Sequence, residues 1–551
     1  MKHQTRINQG RVFSFRTLLG FGASILLILV IASSVFALAT GITPPIPTTN
    51  GPLRGWIDEE VYTFLGVPYG KPPVGNLRFM PPQKPESWKE VRYAIYYGHP
   101  AMQLSSGGSA VSYPGIAGPA LGQIFTSRED VMRQSEDCLV LNVWTPGVGL
   151  AKKRPVMVWF HGGGYNYGSG NWIAYSGHNL ARHHDVVVVT VNHRLNIFGY
   201  LNLAVLGGEK YACSGNAGQL DLVASLEWVR DNIAEFGGDP GNVTIFGQSG
   251  GGSKVSTLLA MPKAKGLFHK SIIQSGPGIR GGTMKQTSEN AKLILDKLNI
   301  TPDNLQALHD IPAEKLLEVA LALQSEGVSL RWGPVVDGNI LPVNPFDPKA
   351  SPLCADIPLM IGCTKDEQTL YNVGLPWWGK LTDEELMNRV RETHGPKAER
   401  LIAAFRKLHP DNSPSYLFTD VMTTSFAFSN TVILAERKAA QPAPVYMFIF
   451  NWESPVEDGI LKAPHTIEIP FVFDNVDLGP ILLGTAKSTK HLGKLVSSAW
   501  VAFARTGNPN TAGLPSWPAY DANRRATMIF DVKSKVVDDP MSEIRMILKD
   551  K

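Results

Sequence analysis

Short runs rich in β-branched residues alternate with longer stretches of helical periodicity, and that alternation constrains the fold more than any other feature of this chain. The runs are Val156 to Phe160, Val186 to Val191, Val243 to Phe246, Lys270 to Ile273, Leu359 to Ile361 and Val445 to Phe450. Between the second and third, Leu220, Ala224, Leu226, Val229, Ile233 and Phe236 recur at helical spacing before the break Gly237-Gly238-Asp239-Pro240. Strand, covering helix and strand in this order make a βαβ unit, whose strands run parallel. Its repetition predicts an α/β fold, a mostly parallel central sheet flanked by helices. From Ser288 to about His409 the texture changes to amphipathic helices, Ala291 to Leu298, Ala313 to Leu323 and Asp383 to Thr393. These read as helical insertions covering one end of the sheet.

Gly247-Gln248-Ser249-Gly250-Gly251 lies directly after the run Val243 to Phe246 and before the helix-like Lys254 to Ala260. A serine in so tight a strand-to-helix turn is held out above the sheet, and glycines two before and two after relieve the backbone crowding. An ordinary glycine-rich turn is the competing explanation, but placement between a strand and a helix favours a nucleophile elbow. His161-Gly162-Gly163-Gly164 follows the run Val156 to Phe160 in the same way. Glycines there let backbone N–H groups approach a carbonyl oxygen on which negative charge develops. Gly163 and Gly164, joined by the N–H of Gly250, are the candidate oxyanion donors.

A serine hydroxyl needs a base, and the base needs an orienting acid. With this elbow the chain order is Ser, then Asp or Glu, then His, each at the carboxyl end of a strand. The histidines after Ser249 are His269, His309, His394, His409, His465 and His491. His465 stands in the turn-like Ala463-Pro464-His465-Thr466, shortly after the run Val445 to Phe450. His309, His394 and His409 sit in or beside polar amphipathic helices and read as solvated surface groups. Asp366 and Glu367 both follow the run Leu359 to Ile361, and spacing alone does not choose between them.

The remaining features bound the class. A formal charge of +4, scattered along the chain, argues against a nucleic-acid partner. Lys2, Arg6, Arg11 and Arg16 precede an apolar stretch from Leu18 to Ala39, the pattern of an export signal. Ala37-Leu38-Ala39 favours cleavage there and release as a periplasmic or secreted protein, with residues 40–551 as a single catalytic domain. The alternative is an anchor of residues 18–39, long enough as a helix to cross a bilayer and the only membrane contact expected. Cys138, Cys213, Cys354 and Cys363 are too few for a disulfide framework, and neither a Cys-x-x-Cys pair nor a His-Glu-x-x-His run suggests a metal.

With these residues in hand the chain resembles the type B carboxylesterases and cholinesterases of the α/β-hydrolase fold, from about Val61 to Tyr520. Phe64-Leu65-Gly66-Val67-Pro68-Tyr69 with Pro72-Pro73-Val74-Gly75-Asn76-Leu77-Arg78-Phe79 is similar to the amino-terminal signature, and Ser135-Glu136-Asp137-Cys138-Leu139 to the second. Asn192-His193-Arg194, Gly215-Asn216-Ala217-Gly218-Gln219-Leu220-Asp221, the elbow, Trp332-Gly333-Pro334-Val335-Val336-Asp337-Gly338 and Trp500-Val501-Ala502-Phe503 follow in order. The resemblance implies a serine esterase that cleaves small carboxylic esters through an acyl-enzyme, without metal or cofactor. It selects Glu367 over Asp366 and matches its histidine motif to His465-Thr466-Ile467-Glu468. It also implies structural ion pairs of Arg78 with Glu136 and of Arg194 with Asp221. Non-catalytic members of the family lack a triad residue, and this chain has all three.

Three departures from the pattern bear on the site. Gln248 replaces a usual Glu before the nucleophile, which favours neutral or hydrophobic esters over choline esters. Pro100-Ala101-Met102-Gln103 offers no cysteine to pair with Cys138. Gly250-Gly251-Gly252 replaces the usual Ala-Gly, from which a more flexible helix start is expected. Tyr165, Tyr167, Trp332, Trp377 and Trp378 are candidate pocket aromatics, although core packing accounts for such residues equally well.

Overall fold

A computed structural model of the chain describes residues 40–103, 117–126 and 134–549. The amino-terminal export segment expected at residues 1–39 lies outside the described residues. Among the described residues no helix is long and apolar enough to cross a membrane.

A twelve-stranded sheet runs through the middle of the molecule. In chain order its strands are β1 Thr40–Ile42, β2 Trp56–Asp58, β3 Val61–Pro68, β4 Val140–Thr145, β5 Arg154–Phe160, β6 Val187–Val191, β7 Gly238–Gln248, β8 Lys270–Gln274, β9 Leu359–Thr364, β10 Val445–Phe450, β11 Ala526–Phe530 and β12 Lys535–Asp538. Across the sheet they lie in the order β1-β2-β3-β4-β6-β5-β7-β8-β9-β10-β11-β12. From β6 to β11 the pairing is parallel, with β1 to β4 added antiparallel on one edge and β12 on the other.

Each of the six expected runs seeds one of these parallel strands. Strand β4 escaped the periodicity pattern because Asn142 interrupts its apolar residues. The structure satisfies that buried amide with bonds to Asn171 Oδ1 at 3.2 Å and Thr190 Oγ1 at 2.9 Å.

Alternation along the strands feeds two cores. Val156, Val158 and Phe160 of β5 face one apolar cluster, while Met157 and Trp159 face the other. Helix α1, Ala217–Asn232, packs Leu222, Leu226 and Val229 into the first; the helix Lys487–Thr506 packs Val496, Trp500 and Phe503 into the second. Each such side chain contributes about 1.5–3 kcal/mol on burial. The expected insertions are helices Met284–Leu298, Ala313–Ser325 and Asp383–His394, and they build two smaller satellite cores.

Two buried arginines tie these layers together. Arg78 reaches Glu136 with Nε and Nη2, both at 2.6 Å, and its Nη1 donates to the carbonyls of Leu308 and Ile311 at 2.7 Å. Arg194 grips Asp221 through Nη2 at 2.6 Å and Nε at 2.9 Å, with side chains 2% and 0% exposed. Both pairs that the resemblance implies are therefore formed.

Strand order reverses around β5, since β6 continues to one side of it and β7 to the other. The loops after β5 and β7 diverge there and leave a crevice at the carboxyl ends of the strands.

Removing one partner of a buried pair leaves an uncompensated charge. Asp221→Asn is expected to lower unfolding stability by about 3–5 kcal/mol, read as a shift of the denaturant midpoint.

Candidate active site

Ser249 occupies the turn between β7 and helix α2, Gly250–Leu258, with φ 57° and ψ −125°. A non-glycine residue in that region carries strain of about 1–3 kcal/mol and holds only where its surroundings over-determine it. Here the Ser249 N–H donates to the Gln274 carbonyl of β8 at 2.8 Å, which pins the turn to the neighbouring strand.

The glycines on either side serve close approach rather than looseness. A Cβ on Gly250 would lie 2.2 Å from the Gly164 carbonyl oxygen, and one on Gly251 would lie 2.0 Å from that of Phe160. The first turn of α2 thus rests directly on the loop after β5. The flexible helix start expected from three glycines is corrected to a tightly packed one. In that loop Gly163 and Gly164 take φ of 81° and 61°, a left-handed conformation that strains other residues. Among the described residues the N–H groups of Gly163, Gly164 and Gly250 donate to no protein acceptor.

Glu367 and His465 come from the loops after β9 and β10. The His465 Nδ1 donates to Glu367 Oε2 in a short hydrogen bond, with both side chains almost fully buried. Glu367 Oε1 accepts from the Thr364 N–H at 2.8 Å, and the His465 N–H reaches the Glu367 carbonyl at 3.3 Å. Asp366 turns away: its Oδ2 accepts from the Ala463 N–H at 3.0 Å, and burial pushes its carboxyl up to about 6. The carboxylate that touches the imidazole is that of Glu367.

Ser249 and His465 open into one shared cleft. Among the described residues no hydrogen bond joins the serine hydroxyl to the imidazole. The His465 Nε2 instead lies 3.2 Å from the amide nitrogen of Gln248, whose side chain is buried.

The other histidines after Ser249 lie in different places. His309 is buried rather than solvated, its Nδ1 against the Gly75 carbonyl at 2.9 Å and its Nε2 against the Tyr211 hydroxyl at 3.0 Å. The interior of a satellite core, invisible in the local helical pattern, accounts for this. Of the candidate aromatics, Tyr167 lines the cleft. Tyr165 and Trp332 line a separate cleft bounded by Ser253 and Thr257, while Trp377 and Trp378 pack on Phe418 and Tyr416. The cleft wall comes instead from Leu121, Phe125, Trp172, Tyr175 and Tyr371, which no motif singled out. Tyr371 could have been flagged, since it follows Glu367 by one helical turn and its ring lies 5.8 Å from that of His465.

Cys138 is a buried, unbridged thiol. Among the described residues no group of three or more His, Cys, Asp or Glu side chains gathers as a metal ion would require. Glu468, fully buried, accepts from Gln274 Nε2 at 3.2 Å with one oxygen, while among the described residues its other oxygen has no partner. Burial, with the nearby Glu367 carboxylate, pushes its carboxyl from 4.5 up to about 7.

The model of the carboxylesterase family matches residues 43–546. The chain is 38% identical over 511 residues to the para-nitrobenzyl esterase of Bacillus subtilis, covering 91% of this chain and 98% of that protein. It is 33% identical over 525 residues to liver carboxylesterase 1 of Oryctolagus cuniculus, covering 87% and 88%. The crystal structure of a Geobacillus stearothermophilus carboxylesterase superposes with a TM-score of 0.79 at 39% identity, covering 92% of this chain and all of that one.

Two outcomes follow from the packing and the buried acid. Gly251→Ala, whose Cβ would lie 2.0 Å from the Phe160 carbonyl oxygen, is expected to push the helix start off the segment after β5 and lower kcat by about a hundredfold, since misplacement by about 1 Å costs that much; steady-state kinetics on the purified variant check it. The raised Glu468 carboxyl stabilises the fold below its ordinary value, and that contribution is lost as pH rises through about 7. Glu468→Gln should accordingly lose less unfolding stability than the parent between about pH 4 and about pH 8, measured as Tm across that range.

Proposed function

The chain belongs to the carboxylesterase family and is a carboxylic ester hydrolase, and on that premise we propose that Ser249, His465 and Glu367 are its catalytic triad. The N–H groups of Gly163, Gly164 and Gly250 are its oxyanion hole. One observation carries this reading: a buried imidazole tied to a carboxylate through Nδ1 shares a cleft with a serine held in a strained strand-to-helix turn.

With Nδ1 donating to Glu367, the neutral imidazole keeps its lone pair at Nε2, the position needed for a serine proton. Such contacts are often long in an empty site and tighten when substrate binds. The serine side chain has a single torsion with which to reach the imidazole.

Ser249 Oγ attacks the ester carbonyl as its proton passes to His465 Nε2, and the carbonyl oxygen becomes an oxyanion held by the glycine N–H groups. His465 then gives its proton to the departing alcohol. Water, deprotonated by the same imidazole, attacks the acyl-enzyme, and collapse of the second tetrahedral intermediate frees the acid and restores Ser249. Glu367 holds the tautomer and offsets the imidazolium charge in both halves. Each residue is reused, and the cycle consumes only ester and water.

The wall of the cleft supports a reading of the substrate class. Aromatic and aliphatic side chains form most of its wall, and no charged side chain lines it among the described residues. Gln248, where the family usually has Glu, contributes an amide without charge. These features favour neutral or hydrophobic esters. Residues 40–551 act as one catalytic domain, with the basic and apolar segment before them directing export.

A fluorophosphonate probe is expected to label Ser249 in the full chain. Ser249→Ala should lower kcat by about a millionfold with its circular dichroism and Tm unchanged, and an active, unlabelled parent would overturn the assignment.

A further inference from the structure

Lys254 lies on the second turn of α2, and its side chain is fully buried. It follows Gly250 by four residues and Gly251 by three, so all three share the helix face that meets the loop after β5. The two glycines bring the backbones together, and the lysine reaches across. Its Nζ donates to the carbonyls of His161 and Gly164, each at 2.9 Å. These are the two ends of the segment His161-Gly162-Gly163-Gly164. Its ammonium also lies 5.4 Å from the centre of the Tyr165 ring, the next residue along.

No carboxylate pairs with this ammonium among the described residues, and burial pushes it down to about 7. His161 and His193, stacked at 4.9 Å, share its surroundings, and burial first and Lys254 second hold both below the ordinary histidine range. Arg194 is already taken by Asp221. A buried ammonium without an anion is costly, and here two carbonyl oxygens are its hydrogen-bond acceptors.

We propose that Lys254 is a positioning residue for ester hydrolysis, its amine clamping both ends of the glycine loop so that the Gly163 and Gly164 N–H groups stay aimed at the oxyanion. This rests on the triad and oxyanion assignment above. The ground-state ester brings no charge, whereas the tetrahedral intermediate brings one negative charge to the loop that the cation supports. The clamp therefore acts on kcat more than on KM.

The test uses Lys254→Met, Lys254→Gln and Lys254→Arg in the full chain. A fluorophosphonate counts competent Ser249 sites, so that kcat is expressed per labelled site and misfolded protein drops out. An aryl trifluoromethyl ketone then reports the oxyanion hole. Ser249 Oγ adds to its carbonyl carbon, the carbonyl π pair moves onto oxygen as the oxyanion, and the serine proton moves to His465. In Lys254→Met, kcat per site is expected to fall by about a hundredfold with KM changed by less than about threefold. The inhibition constant of the ketone should rise by the same factor as kcat falls. Lys254→Gln should show a smaller loss in both, and Lys254→Arg, with charge and donors retained, should recover most of the parent value. Parent values of per-site kcat and ketone affinity in Lys254→Met, whatever its Tm, would overturn the proposal. If that variant does not fold, parent values in Lys254→Gln would do so. An unlabelled parent enzyme would instead sink the triad assignment, leaving the two failures distinct.

Discussion

The contact on which the site depends is one between two backbones, made possible because the residues involved have no side chains. At Gly250 and Gly251 the first turn of α2 approaches the loop after β5 more closely than any Cβ would allow. Strand order brings these segments together, because β5 and β7 are neighbours although about eighty residues separate them in the chain. The reversal around β5 opens the crevice, and the glycines let its two walls meet at the bottom. Gly162 and Gly163 of the loop and Ser249 of the turn then line the same cleft. A side chain at Gly251 would meet the Phe160 carbonyl oxygen at 2.0 Å and force the loop away from the helix.

The other half of the site relies on burial. Glu367 and His465 are almost fully enclosed, and their link is reinforced by the Thr364 N–H on the carboxylate and by a backbone bond between the two residues. A low-dielectric setting strengthens such hydrogen bonds and makes their loss expensive. It also places a second acid, Glu468, where burial and the nearby Glu367 disfavour ionisation. Gln248 continues this economy of charge by standing where a carboxylate usually stands. Strain at Ser249 is tolerated because rigid neighbours surround it: the strand behind, the helix ahead, and the Gln274 carbonyl receiving its N–H.

Legibility in the sequence tracked how local each determinant was. The parallel strands were readable because both faces of such strands are buried, which leaves uninterrupted apolar runs such as Val445 to Phe450. The elbow and the glycine loop were readable because their geometry forbids side chains, which leaves glycines in the sequence. Strand β4 was harder, since Asn142 is satisfied by partners far along the chain. His309 was misread as a surface group because its helix is polar outward while the burying side chains come from elsewhere. The cleft aromatics were missed for a related reason. Phe125, Trp172 and Tyr371 share a wall only after the sheet and its covering segments have assembled.

Local pattern by itself determined the α/β architecture and pointed to the serine at the elbow and the glycine loop, because periodicity and turn chemistry act over a few residues. It left Asp366 and Glu367 open, and within the sequence only their similarity to a family motif chose between them. Tertiary structure decided which carboxylate faces the imidazole, that Gly250 answers to packing rather than flexibility, and that a buried lysine closes over the loop. Those outcomes depend on distances between segments brought together by the sheet, and no spacing along a chain encodes a distance across its fold.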